Sequence, residues 1–177
     1  MNSKSIGNSY ERELSKKLSL WFTEGKSDDV CWRDLGSGNR STIRKKQGKE
    51  SIRDGDIVPT DLIYKPFFDK FHIDAKSLGS VHLMLINPNN MKSSQLLNEW
   101  IKVCEDAKKF SKIPLMFVKA RNDRKIPEFI ILDTMTSFYS ASFIQYGVQR
   151  NFENTFTLVL LDDFFKNNKW NCFIDEN

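Results

Sequence analysis

Three cysteines and two histidines are all that this chain offers for soft-metal or disulfide chemistry. Cys31, Cys104 and Cys172 are odd in number, widely spaced and without a C-x-x-C pair. A disulfide framework and a structural zinc site are therefore not expected, and the thiols read as free, reduced and buried. Long apolar runs are also missing: none approaches the roughly 20 residues that span a bilayer. The polar opening Met1-Asn2-Ser3-Lys4-Ser5 leads into no apolar signal region, so the reading is a cytoplasmic protein without a membrane partner. Repeats, long linkers and low-complexity tracts are absent, and the net charge of +4 says little by itself.

What is present suits one folded unit. At 177 residues and 20.7 kDa, with 40% apolar residues and 14 Phe, residues 1–177 read as a single domain large enough to bury its own core. Charge is distributed unevenly. Arg33, Arg40, Arg44, Lys45, Lys46, Lys49 and Arg53 face only Asp34 and Glu50 in a segment that also carries Gly36, Ser37, Gly38 and Gly48. A flexible basic loop is a common footprint for a phosphate backbone, although a basic run alone is more often solvated surface.

Hydrophobic periodicity orders the chain. Tyr10, Leu14, Leu18, Trp21 and Phe22 recur at helical spacing and predict a helix over about 8–23, stopped by Gly25. Glu11 falls at the edge of that stripe, whereas Glu13 points away from it. Strands are expected at Val30–Trp32, Asp56–Val58 and Phe71–Lys76, with further strand-like residues at Asp61–Tyr64 after Pro59 and at Val81–Ile86. After the turn cluster Asn87-Pro88-Asn89-Asn90, Leu96, Trp100, Val103, Ala107 and Phe110 line a helix over about 93–110. Ile113–Lys119 and Phe129–Leu132 form a hairpin, Thr155–Leu161 a last strand and Asp162–Asn167 a short helix. The alternation predicts an α/β or α+β domain around a central mixed sheet.

The chemistry is concentrated at Phe71-His72-Ile73-Asp74-Ala75-Lys76. Side chains alternate along a strand, so Phe71, Ile73 and Ala75 would enter a core while His72, Asp74 and Lys76 share the other face. Phosphodiester hydrolysis needs a nucleophilic water and stabilisation of phosphoryl charge, and a hard divalent cation on carboxylates supplies both. Asp56 and Asp74 are the candidate ligands for Mg²⁺, with Mn²⁺ able to substitute and the Ala75 carbonyl as a further ligand. Lys76 would orient or deprotonate the attacking water, or offset charge. Glu11 would act through water or complete a second metal position. Each signal has a plainer explanation: alternating surface charge for Asp74 and Lys76, a turn residue after Gly55 for Asp56, a helix-start acid for Glu11, and a structural neighbour for His72.

The ordered set Glu11, Asp56 and Asp74-x-Lys76 resembles the PD-(D/E)XK nuclease superfamily. Gly7–Leu14 is similar to the opening helix of archaeal-type Holliday junction resolvases, whose catalytic Glu matches Glu11. Glu11–Leu14, Leu18–Trp21, Asp28–Arg33, Ser37-Gly38 and Gly55–Ile57 resemble small phage and prophage endonuclease-like members. The resemblance implies a restriction-endonuclease-like core of four strands flanked by helices, Mg²⁺-dependent DNA cleavage and frequent homodimerisation. Asp74 stands where most members carry Glu. The first sheet carboxylate has two candidates: Asp56 lies 18 residues before Asp74 and Asp61 lies 13 before it. Resolvase-like spacing favours Asp61, while the Arg33 and Gly55-Asp56-Ile57 context favours Asp56, which is chosen. The expectation is a DNA endonuclease, with Arg33, Arg40, Arg44, Lys45 and Lys46 on the DNA backbone. Its rivals are a non-catalytic DNA-binding or assembly protein that kept the nuclease fold, and an RNA-processing nuclease.

Overall fold

In a computed structural model, residues 3–34, 55–79, 81, 95–123, 125–133 and 156–173 are described, with backbone alone for 3–6. Of the residues singled out above, those of the basic segment from Gly36 to Arg53, including Arg40, Arg44, Lys45 and Lys46, and the turn at 87–90 lie outside that set, as does the extension of the Val81–Ile86 segment past Val81.

The first helix, α1, runs Ser3–Phe22 and so starts earlier than the apolar stripe alone suggests. Two short strands, β1 (Cys31–Arg33) and β2 (Ile57–Pro59), pair antiparallel with Arg33 opposite Ile57 and Cys31 opposite Pro59. Pro59 thus ends a strand rather than interrupting one. A 3₁₀ turn (Leu62–Tyr64) leads into α2 (Lys65–Lys70) and then β3 (Phe71–Leu78). Helix α3 (Gln95–Lys109) crosses over to β4 (Ile113–Ala120), which lies parallel to β3. Strands β5 (Phe129–Asp133) and β6 (Phe156–Leu160) follow antiparallel, and α4 (Leu161–Asn167) precedes a 3₁₀ turn at Trp170–Phe173. The sheet order is β3-β4-β5-β6, a mixed sheet in an α+β, restriction-endonuclease-like fold. Among the described residues no helix is long and apolar enough to cross a membrane.

Both faces of the sheet are covered, and this explains the near-continuous apolar runs of β4 and β5. Tyr10, Leu14, Leu18 and Phe22 of α1 pack with Phe71, Ile73, Ala75, Leu115, Phe117, Ile130 and Leu132 on one face. On the other, Leu96, Leu97, Trp100 and Val103 of α3 meet Leu78, Met116, Val118, Phe129 and Ile131. Alternation along β3 sends Phe71, Ile73 and Ala75 to the α1 side, as the strand pattern requires. Asp74 and Lys76 pair in register with Met116 and Val118, on the α3 side. With His72 they are the polar residues that β3 sends to this side. The thiols are all free, but only Cys31 is buried; Cys104 is half-buried and Cys172 exposed, contrary to the expectation of three buried cysteines.

Candidate active site

A polar stripe on α1 carries the first candidate residue, Glu11. Glu11, Ser15 and Ser19 recur every four residues, so they share one helix face, and all are buried. The Ser19 hydroxyl donates to the Ser15 carbonyl and accepts from the Cys31 N–H, both at 2.8 Å. This pins β1 across the helix, and two residues further on Arg33 reaches Glu11, with Nε 2.5 Å from Oε2. Both side chains are little exposed, at 13% and 11%.

Next to Arg33, Asp34 makes a backbone link to the second carboxylate residue. The Asp34 N–H donates to the Asp56 carbonyl at 2.8 Å, and the Asp56 N–H donates to the Ile73 carbonyl at 2.8 Å. Asp56, only 2% exposed, also accepts the Ala75 N–H on its Oδ2 at 3.0 Å. Asp56 therefore lies along the outer edge of β3, beside Asp74. Because backbone groups two residues apart on a strand point the same way, the Ala75 carbonyl faces this edge with that of Ile73. Gly55 permits the approach: its φ is +89°, and a Cβ there would sit 2.7 Å from the Ile73 carbonyl oxygen.

Lys76 completes the group. Its Nζ is 2.8 Å from Asp74 Oδ1 and 3.7 Å from Oε2 of Glu99, an acid on α3. Sequence reasoning missed Glu99, because only the crossover that lays α3 over β3 brings the two together. It missed Ser15 and Ser19 as well, although the four-residue polar repeat with Glu11 was there to be read. His72 is buried with its ring stacked on Phe110, centroids 6.0 Å apart, in keeping with a structural role. Asp61 is exposed and caps the 3₁₀ turn by accepting the Ile63 N–H at 3.1 Å. That local bond also explains why 61–64 is a turn and not a strand.

Asp56 and Asp74 are the two buried acids joined by the β3 backbone, and among the described residues no group of three His, Cys, Asp or Glu is placed to hold a metal. If brought together, two carboxylates and an adjacent backbone carbonyl would offer a hard-oxygen donor set. It suits Mg²⁺, which takes few protein ligands and retains water, better than it suits zinc.

Glu13 leaves the apolar stripe, as expected, but lands on the sheet. Lys119 of β4 donates to it at 2.6 and 2.8 Å, and Lys17 lies 3.1 Å from Glu13 and 2.9 Å from Glu128. Burial opposes ionisation of Glu13, but the bonds from Lys119 and Lys17 outweigh it and hold the carboxyl below its usual range. Burial likewise works against the charged forms of Lys17 and Lys119, yet Glu13 and Glu128 raise both above the ordinary lysine value. Burial, then Glu128 and Glu13, pushes up the Tyr10 hydroxyl.

No curated protein and no solved structure matches the chain. A family model described as "Phage putative PDDEXK endonuclease" matches residues 2–172, nearly the whole length and including every candidate site residue above. The chain belongs to that family of PD-(D/E)XK nuclease-like phage proteins, whose superfamily generally uses divalent metal ions.

Proposed function

We propose that this protein is a Mg²⁺-dependent DNA endonuclease that hydrolyses phosphodiester bonds at Asp56, Asp74 and Lys76. The observation that carries the reading is the Ala75 N–H clamped to Asp56 beside the Asp74–Lys76 pair. Asp56, Asp74 and the Ala75 carbonyl would hold the cation, which supplies Lewis-acid stabilisation of phosphoryl charge and an activated water. Lys76 sits within a side-chain length of that position and would orient the water, take its proton or offset developing charge. Glu11 would reach the site through water, held in place by Arg33. A guanidinium has five N–H donors and the Glu11 bond through Nε uses one, so Arg33 can serve a DNA phosphate as well. Arg40, Arg44, Lys45 and Lys46 supply further backbone contacts in this reading. Among the described residues Leu20, Trp32, Leu62 and Ile63 are the exposed large hydrophobic side chains, and for a homodimer a second copy would cover some of them. Branched substrates of the Holliday-junction kind belong to the same proposal.

The test is cleavage of duplex, nicked, flap and four-way DNA with Mg²⁺ or Mn²⁺. Asp56→Asn, Asp74→Asn and Lys76→Met should each lower the rate by about 10²- to 10⁴-fold, the usual worth of such groups, while DNA binding persists. Near wild-type cleavage by any one of them would remove that residue from the assignment. A wild-type protein that binds DNA and never cuts it would favour the non-catalytic alternative.

A further inference from the structure

The ammonium of Lys76 lies between two carboxylates on different elements. Asp74 holds it at 2.8 Å through Oδ1, and Glu99 stands off at 3.7 Å through Oε2. Lys102 binds the other Glu99 oxygen, Oε1, at 2.8 Å, so the Lys76-facing oxygen is not the one that Lys102 uses. Helix α3 fixes the position of Glu99, since the neighbouring Trp100 is 1% exposed and Val103 fully buried. Lys76 and Glu99 are themselves only about a quarter exposed, at 23% and 22%.

Under the proposed function, on which this inference rests, Asp74 gives one of its oxygens to a divalent cation. An ammonium and a dication do not share one carboxylate oxygen without strong repulsion. Where Oδ1 is that oxygen, Lys76 leaves it, yet has to stay beside the reacting group. We infer that Glu99 is the positioning residue that receives Lys76 at this point: closing a gap of 3.7 Å to hydrogen-bond distance needs only a small rotation of the lysine side chain. Glu99 thereby lowers the cost of freeing Asp74 and keeps Lys76 at the site. Lys76 exchanges partners, and the exchange is built into the packing of α3 on β3.

The prediction is read from metal affinity without DNA or cleavage. Mn²⁺ titration calorimetry on the full chain is compared for wild type, Glu99→Gln, Lys76→Met and the double variant, with thermal melts showing that all four are folded. Glu99→Gln should weaken Mn²⁺ binding by about five-fold or more, within the range of couplings between contacting residues. In the Lys76→Met background the same substitution should change affinity less than about two-fold, because no lysine remains to be received. An equal effect in both backgrounds would overturn the inference and reduce Glu99 to a through-space charge. No effect of Glu99→Gln in the wild-type background would overturn it too. A wild type that binds no Mn²⁺ would sink the metal reading and this inference together. Binding with the expected coupling but no DNA cleavage would leave the inference standing and the nuclease reading refuted.

Discussion

Substituting Gly55 by Ala should separate the two demands that the sheet edge makes on this position. The first is conformational: a φ of +89° costs a residue with a Cβ about 1–2 kcal/mol. The second is steric, since the new Cβ would lie 2.7 Å from the Ile73 carbonyl oxygen and 3.3 Å from the Ile73 nitrogen, both rigid backbone. Relief requires residues 55–56 to move off β3 by several tenths of an ångström. That stretches the Asp56-to-Ile73 and Ala75-to-Asp56 hydrogen bonds, now 2.8 and 3.0 Å, each worth about 1 kcal/mol. The expected loss is about 2–4 kcal/mol, read from urea unfolding. Gly25 provides the control: its φ is +84°, but nothing lies within 4 Å of its Cβ position. Gly25→Ala should therefore lose only the conformational part, about 1–2 kcal/mol. Mn²⁺ binding should weaken in Gly55→Ala and stay unchanged in Gly25→Ala. Equal destabilisation by the two variants would refute the argument that close packing on Ile73 fixes Asp56.

Three further outcomes are expected. The lowered Glu13 pKa makes its contribution present above about pH 4.5 and lost as pH falls through the folded value, whereas the raised Lys17 and Lys119 contribute below about pH 10.5 and lose it as pH rises through theirs. Lys119→Met should cost about 1 kcal/mol at neutral pH, kept small by solvent screening, and should flatten the acid limb of stability against pH; an unchanged limb would refute the network. Asp61→Ala should lose about 0.5–1 kcal/mol of turn capping and no cleavage activity, so a dead but folded variant would return Asp61 to the site. Replacing Arg44, Lys45 and Lys46 by Ala should reduce the slope of log K against log[salt] by about two to three units on duplex DNA, and an unchanged slope would make the segment ordinary surface.

Elements with a strong period were legible from the chain alone. Tyr10, Leu14, Leu18 and Phe22 gave α1, Trp100 and Val103 gave α3, and the apolar runs gave β4, β5 and β6, because the helical stripes report burial against one layer and the runs burial on both faces of the sheet. The six-residue α2 was not read: Phe67 and Phe68 are buried, but so short a helix offers no full period. Asp61–Tyr64 looked like a strand from composition, and a single side-chain bond from Asp61 turned it into a cap. At the site, Asp74 and Lys76 follow from alternation on one strand. The contacts of Glu11 with Arg33, Glu13 with Lys119, and Lys76 with Glu99 each join elements far apart in sequence, so they depend on the packing of layers that no local pattern encodes.

Strand β3 stands at the end of the sheet order, and among the described residues Asp56 is what meets the outward groups of Ile73 and Ala75. Exposed strand edges invite pairing with other chains. The same residue that is proposed to serve the chemistry therefore also occupies two of the outward backbone groups of this edge, one through its side chain and one through its own N–H. An amide at this position keeps an oxygen for the Ala75 N–H; a methyl group does not. Loss of catalysis and loss of this edge contact would then part company between Asp56→Asn and Asp56→Ala.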